Sequence, residues 1–202
     1  MNIKTIVTTR YVGEDGFEFT FEPVEDTITV EKTPKGYTAR YLVQDDNPIS
    51  PDENGDSGLS LVNYHRDFDV RRDSIIVKQN VADYYGGEKI PQEDKYHIFN
   101  LSMFSHSGII LSLSRTFISD SGGWDTSHVG LVLVSKKEWH KRDNACEAAE
   151  SLVNEWNAVL SGDVYGCVVE YYNKNKKQLN QESCWGFIGF EEAKAELRGF
   201  TR

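Results

Sequence analysis

The side chains whose types and spacing could do chemistry are two histidines and a carboxylate near the middle of the chain. His106 stands in a polar stretch at 105–108, and Asp125 and His128 stand in a second one at 122–128, each bordered by apolar, β-type runs. If those runs pair in one sheet, the three side chains gather at one end of it. A carboxylate can hold a histidine in one tautomer for general acid–base chemistry, and a His/Asp/His set can bind a divalent metal. The pattern therefore makes His106, Asp125 and His128 candidate metal ligands and leaves acid–base chemistry open beside that role.

Ser107 offers a further chemistry next to His106. A serine becomes a nucleophile when a histidine lies within hydrogen-bond reach, and Ser105 is placed equally well for this in the sequence. The chain contains no G-x-S-x-G, phosphate-loop or dinucleotide-loop motif, so no catalytic residue is assigned. The competing interpretation gives each histidine a structural role in which its ring nitrogens are simply hydrogen-bonded.

Trp124 and the pair His65-Arg66 extend the candidate set toward ligand binding. An indole at a loop tip can stack on a base or another ring, and a core anchor is an equally good interpretation. His65 and Arg66 could supply a cation to an anionic ligand, against the alternative of a salt-bridged surface segment over 66–73. The residues predicted to bind a ligand are His65, Arg66, His106, Ser107, Trp124 and Asp125.

Composition indicates a globular protein. Of the 202 residues, 39% are hydrophobic and 12% aromatic, which is enough to build a self-sufficient core. No apolar run approaches the ~18 residues needed to cross a bilayer, and the first residues lack a signal-peptide pattern. No membrane association is expected, and the expected compartment is the cytoplasm. The three cysteines are widely spaced without a C-x-x-C pair, which favours reduced thiols.

The formal net charge of −10 bears on the class of partner. Binding to phosphate backbones needs clustered Lys and Arg, so direct nucleic-acid binding is not expected. An acidic protein can instead bind a basic protein surface, although scattered carboxylates are also typical of an ordinary solvated surface. The expected partner is another protein or an anionic small molecule. No motif implies a cofactor, and the sequence leaves the oligomeric state open.

Hydrophobic periodicity predicts an α+β fold in a single domain over 1–202. Its expected content is a mainly antiparallel β-sheet, one long amphipathic helix and small helices at the edges. Alternating apolar residues and turn residues predict a β-meander over 1–43. Residues 44–58 are predicted to form an acidic loop, and 59–202 a central sheet with its helices.

The long helix is predicted from Asp143, as N-cap, to about Leu160, because apolar residues recur there at intervals of three and four. Trp156 falls on the apolar face of this helix and is expected in the core. Trp185, inside a predicted strand, is also expected in the core.

Six short segments, taken in order, carry a resemblance to a known family. They are Asp56-Ser57-Gly58, His65-Arg66, His106-Ser107-Gly108-Ile109, Trp124-Asp125-Thr126-Ser127-His128-Val129-Gly130, Ser161-Gly162-Asp163-Val164-Tyr165-Gly166 and Cys184-Trp185-Gly186-Phe187. In this order and spacing the chain resembles a family of phage and prophage accessory proteins. The family's usual pattern has W-D-S-G-Q-V-G where this chain has Thr126-Ser127-His128, which weakens His128 as a shared functional residue. It also has a longer H-R-R-Y-type segment where this chain has Asp67-Phe68. The resemblance implies a small accessory protein in the cytoplasm of an infected bacterial host and supplies no reaction.

The resulting hypothesis is a phage-type accessory protein that binds and neutralises a host target without catalysis. The target would be a defence protein or its nucleotide signal. One alternative is a hydrolase or nucleotide-processing enzyme that uses a His/Asp site, with or without a metal. The other is a structural or virion-associated protein whose sheet mediates contacts.

Overall fold

A computed structural model describes residues 11–13, 16–51, 58–64, 78–106, 108–114, 117 and 123–200. The chain divides into two compact units. The first combines 1–48 with 162–202, and the second is the intervening segment 49–161. Each unit has its own antiparallel sheet and its own apolar core.

The first unit is built on a four-stranded sheet in the order β10-β9-β4-β3, with a two-stranded ribbon β1-β2 and a helix α3. The elements are β1 (Tyr11–Val12), β2 (Glu18–Phe19), β3 (Thr29–Thr33), β4 (Gly36–Gln44), β9 (Val164–Asn173), β10 (Gln178–Ile188) and α3 (Phe190–Gly199), with a 3-10 turn at Glu25–Thr27.

Both faces of this sheet are covered, because β4 and β9 carry large apolar side chains on both sides. On one face, Phe17 and Phe19 pack edge-on against Tyr172 and Tyr41, with ring centroids 5.0 Å apart in each pair. On the other face, Ala193 and Leu197 of α3 pack on buried residues of β4 and β9.

The hairpin between β9 and β10 follows from its turn residues. The Asn173 side chain accepts hydrogen bonds from the backbone N–H groups of Asn175 and Lys177, at 2.8 and 3.0 Å. Lys176 adopts a left-handed conformation with φ of 59°. Asparagine side chains that bond to the backbone two residues on are typical turn builders.

The second unit has a four-stranded sheet in the order β5-β8-β6-β7. Its elements are β5 (Leu59–Asn63), α1 (Lys78–Tyr85), β6 (Tyr96–Ser105), β7 (Ile109–Ser112), β8 (Thr126–Ser135) and α2 (Arg142–Ser161), with a 3-10 turn at Glu93–Lys95.

Helix α2 covers one face of this sheet, and α1 packs on part of the other. Leu152 and Trp156 of α2 are 3% and 4% exposed and lie in the core with Leu101, Met103 and Val132. The apolar stripe of the helix therefore faces β6 and β8, as its spacing predicted. The helix ends at Ser161, and the following Gly162 has φ of 74° and lies where a C′ glycine belongs.

The predicted α+β class, with a mainly antiparallel sheet and one long helix, is confirmed. The long helix begins at Arg142, so Asp143 lies in its first turn rather than before it. The prediction of a single domain over 1–202 stays a prediction.

Strand pairing differs from the sequence prediction in two places. The predicted meander over 1–43 contains a true hairpin, β3-β4, but β1 and β2 pair with each other instead of joining that sheet. The last strands, β9 and β10, belong to the sheet of β3 and β4 and not to the sheet of β6 and β8. Apolar periodicity identifies strands but does not choose their partners, which non-local packing decides.

Trp185 is 40% exposed, so its prediction as a core residue is wrong. It lies on the edge strand β10, and its ring covers Gly166 of β9 and meets Phe21 edge-on at 5.3 Å. A Cβ at Gly166 would stand 2.4 Å from the indole, so only glycine fits beneath it.

Among the described residues, no helix combines the length and the apolarity needed to cross a bilayer.

Candidate functional site

His106 and Asp125 come together because β6 and β8 are antiparallel neighbours that end at the same edge. Phe104 lies opposite Thr126, and the Ser105 N–H donates to the carbonyl oxygen of Asp125 at 3.0 Å. This register places His106, one residue past the end of β6, beside Asp125, one residue before β8. The meeting of these two residues at one end of a sheet is as predicted.

The two side chains are in direct contact. His106 Nδ1 lies 3.1 Å from Asp125 Oδ2, and the side chains are 70% and 42% exposed. An exposed pair of this kind adds little to stability. Its chemical effect is to orient the imidazole, because a carboxylate at Nδ1 selects the tautomer with the proton on that nitrogen. Nε2 is then the ring nitrogen through which His106 can meet a ligand.

One aromatic ring contacts this pair, and two further aromatic residues lie next to it in space or in the chain. The Phe104 ring stacks on His106 with centroids 6.2 Å apart and planes 25° apart, and Phe117 tilts against Phe104 at 5.6 Å. Trp124 precedes Asp125 in the chain and is 91% exposed. The interpretation of Trp124 as a core anchor is therefore wrong. A solvent-exposed indole one residue before the Asp125 that orients an imidazole supplies a ring for stacking and, at the neighbouring position, a hydrogen-bonding group.

His128 does not join this pair. Its Nδ1 lies 3.1 Å from the Ser102 hydroxyl, and the Tyr85 ring stacks on it with centroids 5.3 Å apart. The Tyr85 hydroxyl in turn donates to the carbonyl oxygen of Gly130 at 2.6 Å. His128 thus has a structural role between β6 and α1. Within the described residues, no three His, Cys, Asp or Glu side chains are grouped so that they could hold a metal ion.

Three predicted ligand-binding residues, His65, Arg66 and Ser107, lie outside the described residues. Their convergence with His106 and Trp124 stays a prediction, and so does a nucleophilic role for Ser107.

Phe104, Ser102 and Tyr85 belong to this surface but were not singled out in the sequence. A signal for two of them exists, because Ser102, Phe104 and His106 occupy alternate positions and so share one face of a strand. Tyr85 carried no such signal, since its place beside His128 depends on how α1 packs on the sheet.

The first unit contains an acidic cleft of about 590 Å³. The residues that line it are Tyr11, Thr20, Phe21, Glu22, Pro23, Val24, Val43, Gln44 and Asp46. The negative charge of Glu22 is the main cause of a raised pKa at the Tyr11 phenol, followed by desolvation, a hydrogen bond to Glu22 and the charge of Asp46. Asp46 lies at the start of the predicted acidic loop, and residues 52–57 of that loop lie outside the described part of the chain.

Comparison with protein-family models, curated proteins and solved structures gives no match to this chain.

Proposed function

We propose that this chain is a non-catalytic binding protein of the phage accessory type that captures a nucleotide signal of its host. The observation that carries this proposal is the exposed indole of Trp124 one residue before Asp125, whose carboxylate orients His106. The phage context is supported by the resemblance of the six ordered segments.

Each side chain of the site would contact a different part of a nucleotide. The face of the Trp124 ring can stack on a nucleobase, an interaction worth about 1–3 kcal/mol for each base. His106 can accept at Nε2 a hydrogen bond from an N–H or O–H group of the nucleotide, because Asp125 holds the proton on Nδ1. The Asp125 charge repels an anion, so the phosphate groups of the nucleotide must lie away from this pair.

Ligand binding is tested by titrating the purified protein with mononucleotides, cyclic dinucleotides and dinucleotides, using calorimetry. Trp124→Ala is expected to reduce the binding free energy by about 1–3 kcal/mol, which corresponds to a Kd weaker by roughly 5- to 150-fold. Trp185→Ala is the matched control, because it also removes a partly exposed indole but lies in the first unit. Equal affinities in the Trp124 and Trp185 variants, or no binding of any nucleotide, would contradict the proposal.

The biological role is tested separately by expressing the protein in a bacterium that carries a nucleotide-signalling defence. Phage plating efficiency is expected to rise with the wild-type chain and to fall back with the double variant His106→Ala and Asp125→Ala. Equal plating with both forms would remove the anti-defence role even if nucleotide binding is measured.

A second candidate function is inhibition of a host defence protein through direct contact. The acidic cleft favours it, since Glu22 and Asp46 flank aromatic side chains in a space large enough for a lysine or arginine side chain. This candidate predicts that the chain binds a basic protein and that the binding weakens as salt is added. The double variant Glu22→Gln and Asp46→Asn should weaken this binding, and Trp124→Ala should leave it unchanged.

The same His106–Asp125 contact also favours an enzyme, because an oriented imidazole is the usual general base of hydrolases. This candidate predicts that incubated nucleotides are converted to products and that His106→Ala abolishes the conversion. Recovery of unaltered nucleotide from the bound complex would support capture over catalysis.

A further inference from the structure

Two of the three cysteines of the chain face each other across neighbouring strands. Cys167 of β9 and Cys184 of β10 are directly opposite in an antiparallel pair. Opposite residues in such a pair project from the same face of the sheet, with Cβ atoms about 4.5–5.5 Å apart. We propose that Cys167 and Cys184 form an oxidisable dithiol, which closes into a cross-strand disulfide when the protein meets a peroxide.

The two thiols differ in access, and this difference assigns their roles. Cys184 lies exposed on the edge strand, while Cys167 is 0% exposed beneath α3, where its thiol donates to the Ala193 carbonyl at 3.5 Å. Burial raises the pKa of the Cys167 thiol to about 11, with smaller contributions from Cys184 and Glu196. Cys184 therefore meets the oxidant, and Cys167 acts as the resolving thiol.

The backbone around the pair can make the adjustment that a disulfide requires. A disulfide needs Cβ atoms about 3.5–4.5 Å apart, so the strands must approach by roughly 1 Å. The regular register of β10 is interrupted between Cys184 and Phe187, and Gly186 within that interruption has φ of 87°. Among the strands that the structure describes, β10 pairs with β9 alone, so this shift disturbs no other described strand.

One molecule of hydrogen peroxide is sufficient to oxidise the two thiols to a disulfide. The Cys184 thiolate attacks the peroxide O–O bond and becomes a sulfenic acid, and the departing hydroxide takes a proton to leave as water. The Cys167 sulfur then attacks the Cys184 sulfur, the S–S bond forms, and the sulfenic oxygen leaves as a second water with the Cys167 proton. Both thiols are oxidised, and one hydrogen peroxide is reduced to two waters.

Cys146 provides the internal control. It lies on α2 in the second unit, partly buried, and its pKa is raised first by desolvation and then by the charge of Glu150. Its sulfur is 3.9 Å from a carboxylate oxygen of Glu150, so its surroundings disfavour the thiolate. Cys146 is expected to stay reduced under conditions that oxidise the pair.

The experiment treats the full-length protein with a small excess of hydrogen peroxide and follows free thiols, intact mass and a non-reducing peptide map. The wild-type chain and Cys146→Ser are each expected to lose two thiols and the mass of two hydrogen atoms, with Cys167 and Cys184 joined in one cross-linked peptide. Dithiothreitol should restore both thiols. In Cys167→Ala, sulfenic acid trapped on Cys184 by dimedone should rise about tenfold, because the resolving thiol is missing.

Three outcomes would overturn the proposal. They are further oxidation of Cys184 to a sulfinic acid in the wild-type chain, disulfide-linked dimers through Cys184, and oxidation of Cys146 ahead of the pair. If Cys167→Ala does not fold, Cys184→Ser decides instead, because it leaves the buried thiol in place and should abolish all reversible thiol loss.

Discussion

The Tyr172 hydroxyl donates a hydrogen bond to Glu170 at 2.5 Å, and both residues are buried on the same face of β9. Glu170 is fully buried, and its other oxygen accepts from the Thr20 backbone N–H and the Gln178 side chain, each at 3.0 Å. One carboxylate thus joins residues that are 150 positions apart in the chain. Three donors around one carboxylate compensate for much of the cost of burying it.

Removal of the Glu170 carboxylate should destabilise the first unit strongly. Glu170→Ala opens a cavity and removes an acceptor shared by Tyr172, the Thr20 N–H and Gln178. Tyr172 keeps the Glu18 carbonyl and Gln178 keeps the Thr20 hydroxyl as acceptors, so we expect the free energy of unfolding to fall by about 1–3 kcal/mol. Glu170→Gln keeps the shape and one acceptor oxygen and should cost less. Urea denaturation measures both, with the exposed Glu147→Ala as a control that should stay within about 0.5 kcal/mol of wild type. Equal stability of the Glu170 and Glu147 variants would contradict the anchoring role.

Alkaline pH should destabilise the same unit. Burial is the largest cause of a raised pKa at both Tyr41 and Tyr172, and interactions with Glu170 raise both further. The unfolded chain binds fewer protons than the folded one once pH exceeds the ordinary tyrosine pKa of about 10. The contribution of these phenols to the free energy of unfolding is therefore fully present below pH ~10 and is lost as pH rises above that value. Denaturation midpoints across this range should fall less steeply in Tyr172→Phe, and an unchanged slope would contradict the assignment.

Trp124 and Trp156 should respond oppositely to truncation. Trp124 is 91% exposed, so Trp124→Ala should leave the free energy of unfolding within about 0.5 kcal/mol of wild type while it weakens ligand binding. Trp156 is 4% exposed in the core under α2, and Trp156→Ala should cost about 3–5 kcal/mol. Thermal or urea unfolding distinguishes the two. A large stability loss in Trp124→Ala would mean that the indole serves the fold rather than a ligand.

Asn157 should secure the edge strand β7. Its side chain accepts from the Leu111 N–H at 2.7 Å and donates to the Leu111 carbonyl at 2.9 Å, so it bonds both backbone groups of this residue. Asn157→Ala should lower the free energy of unfolding by about 1–3 kcal/mol and speed hydrogen exchange at the Leu111 amide. The exposed neighbour Asn154→Ala should change neither. Unchanged exchange at Leu111 in the Asn157 variant would contradict this role.

Local pattern was sufficient for most of the helices and strands. The helix over 142–161 could be predicted because its apolar residues recur every three or four positions and pack on one sheet, and Gly162 ends it with a left-handed φ. Strands β4 and β6 could be predicted for the same kind of reason, since β-type runs are interrupted by turn residues.

The tertiary structure decided which strands are partners and which side chains meet. Nothing local to β9 indicates that it pairs with β4, some 120 residues earlier, rather than with its nearer neighbour β8. The contact of His106 with Asp125 was expected from strand pairing, but only the register of Phe104 with Thr126 establishes it, and the same packing directs His128 to Ser102 and Tyr85. Sequence determines local conformation through side-chain periodicity and turn chemistry. Contacts between distant residues depend on which buried faces fit together, and for this chain that fit decided the candidate site.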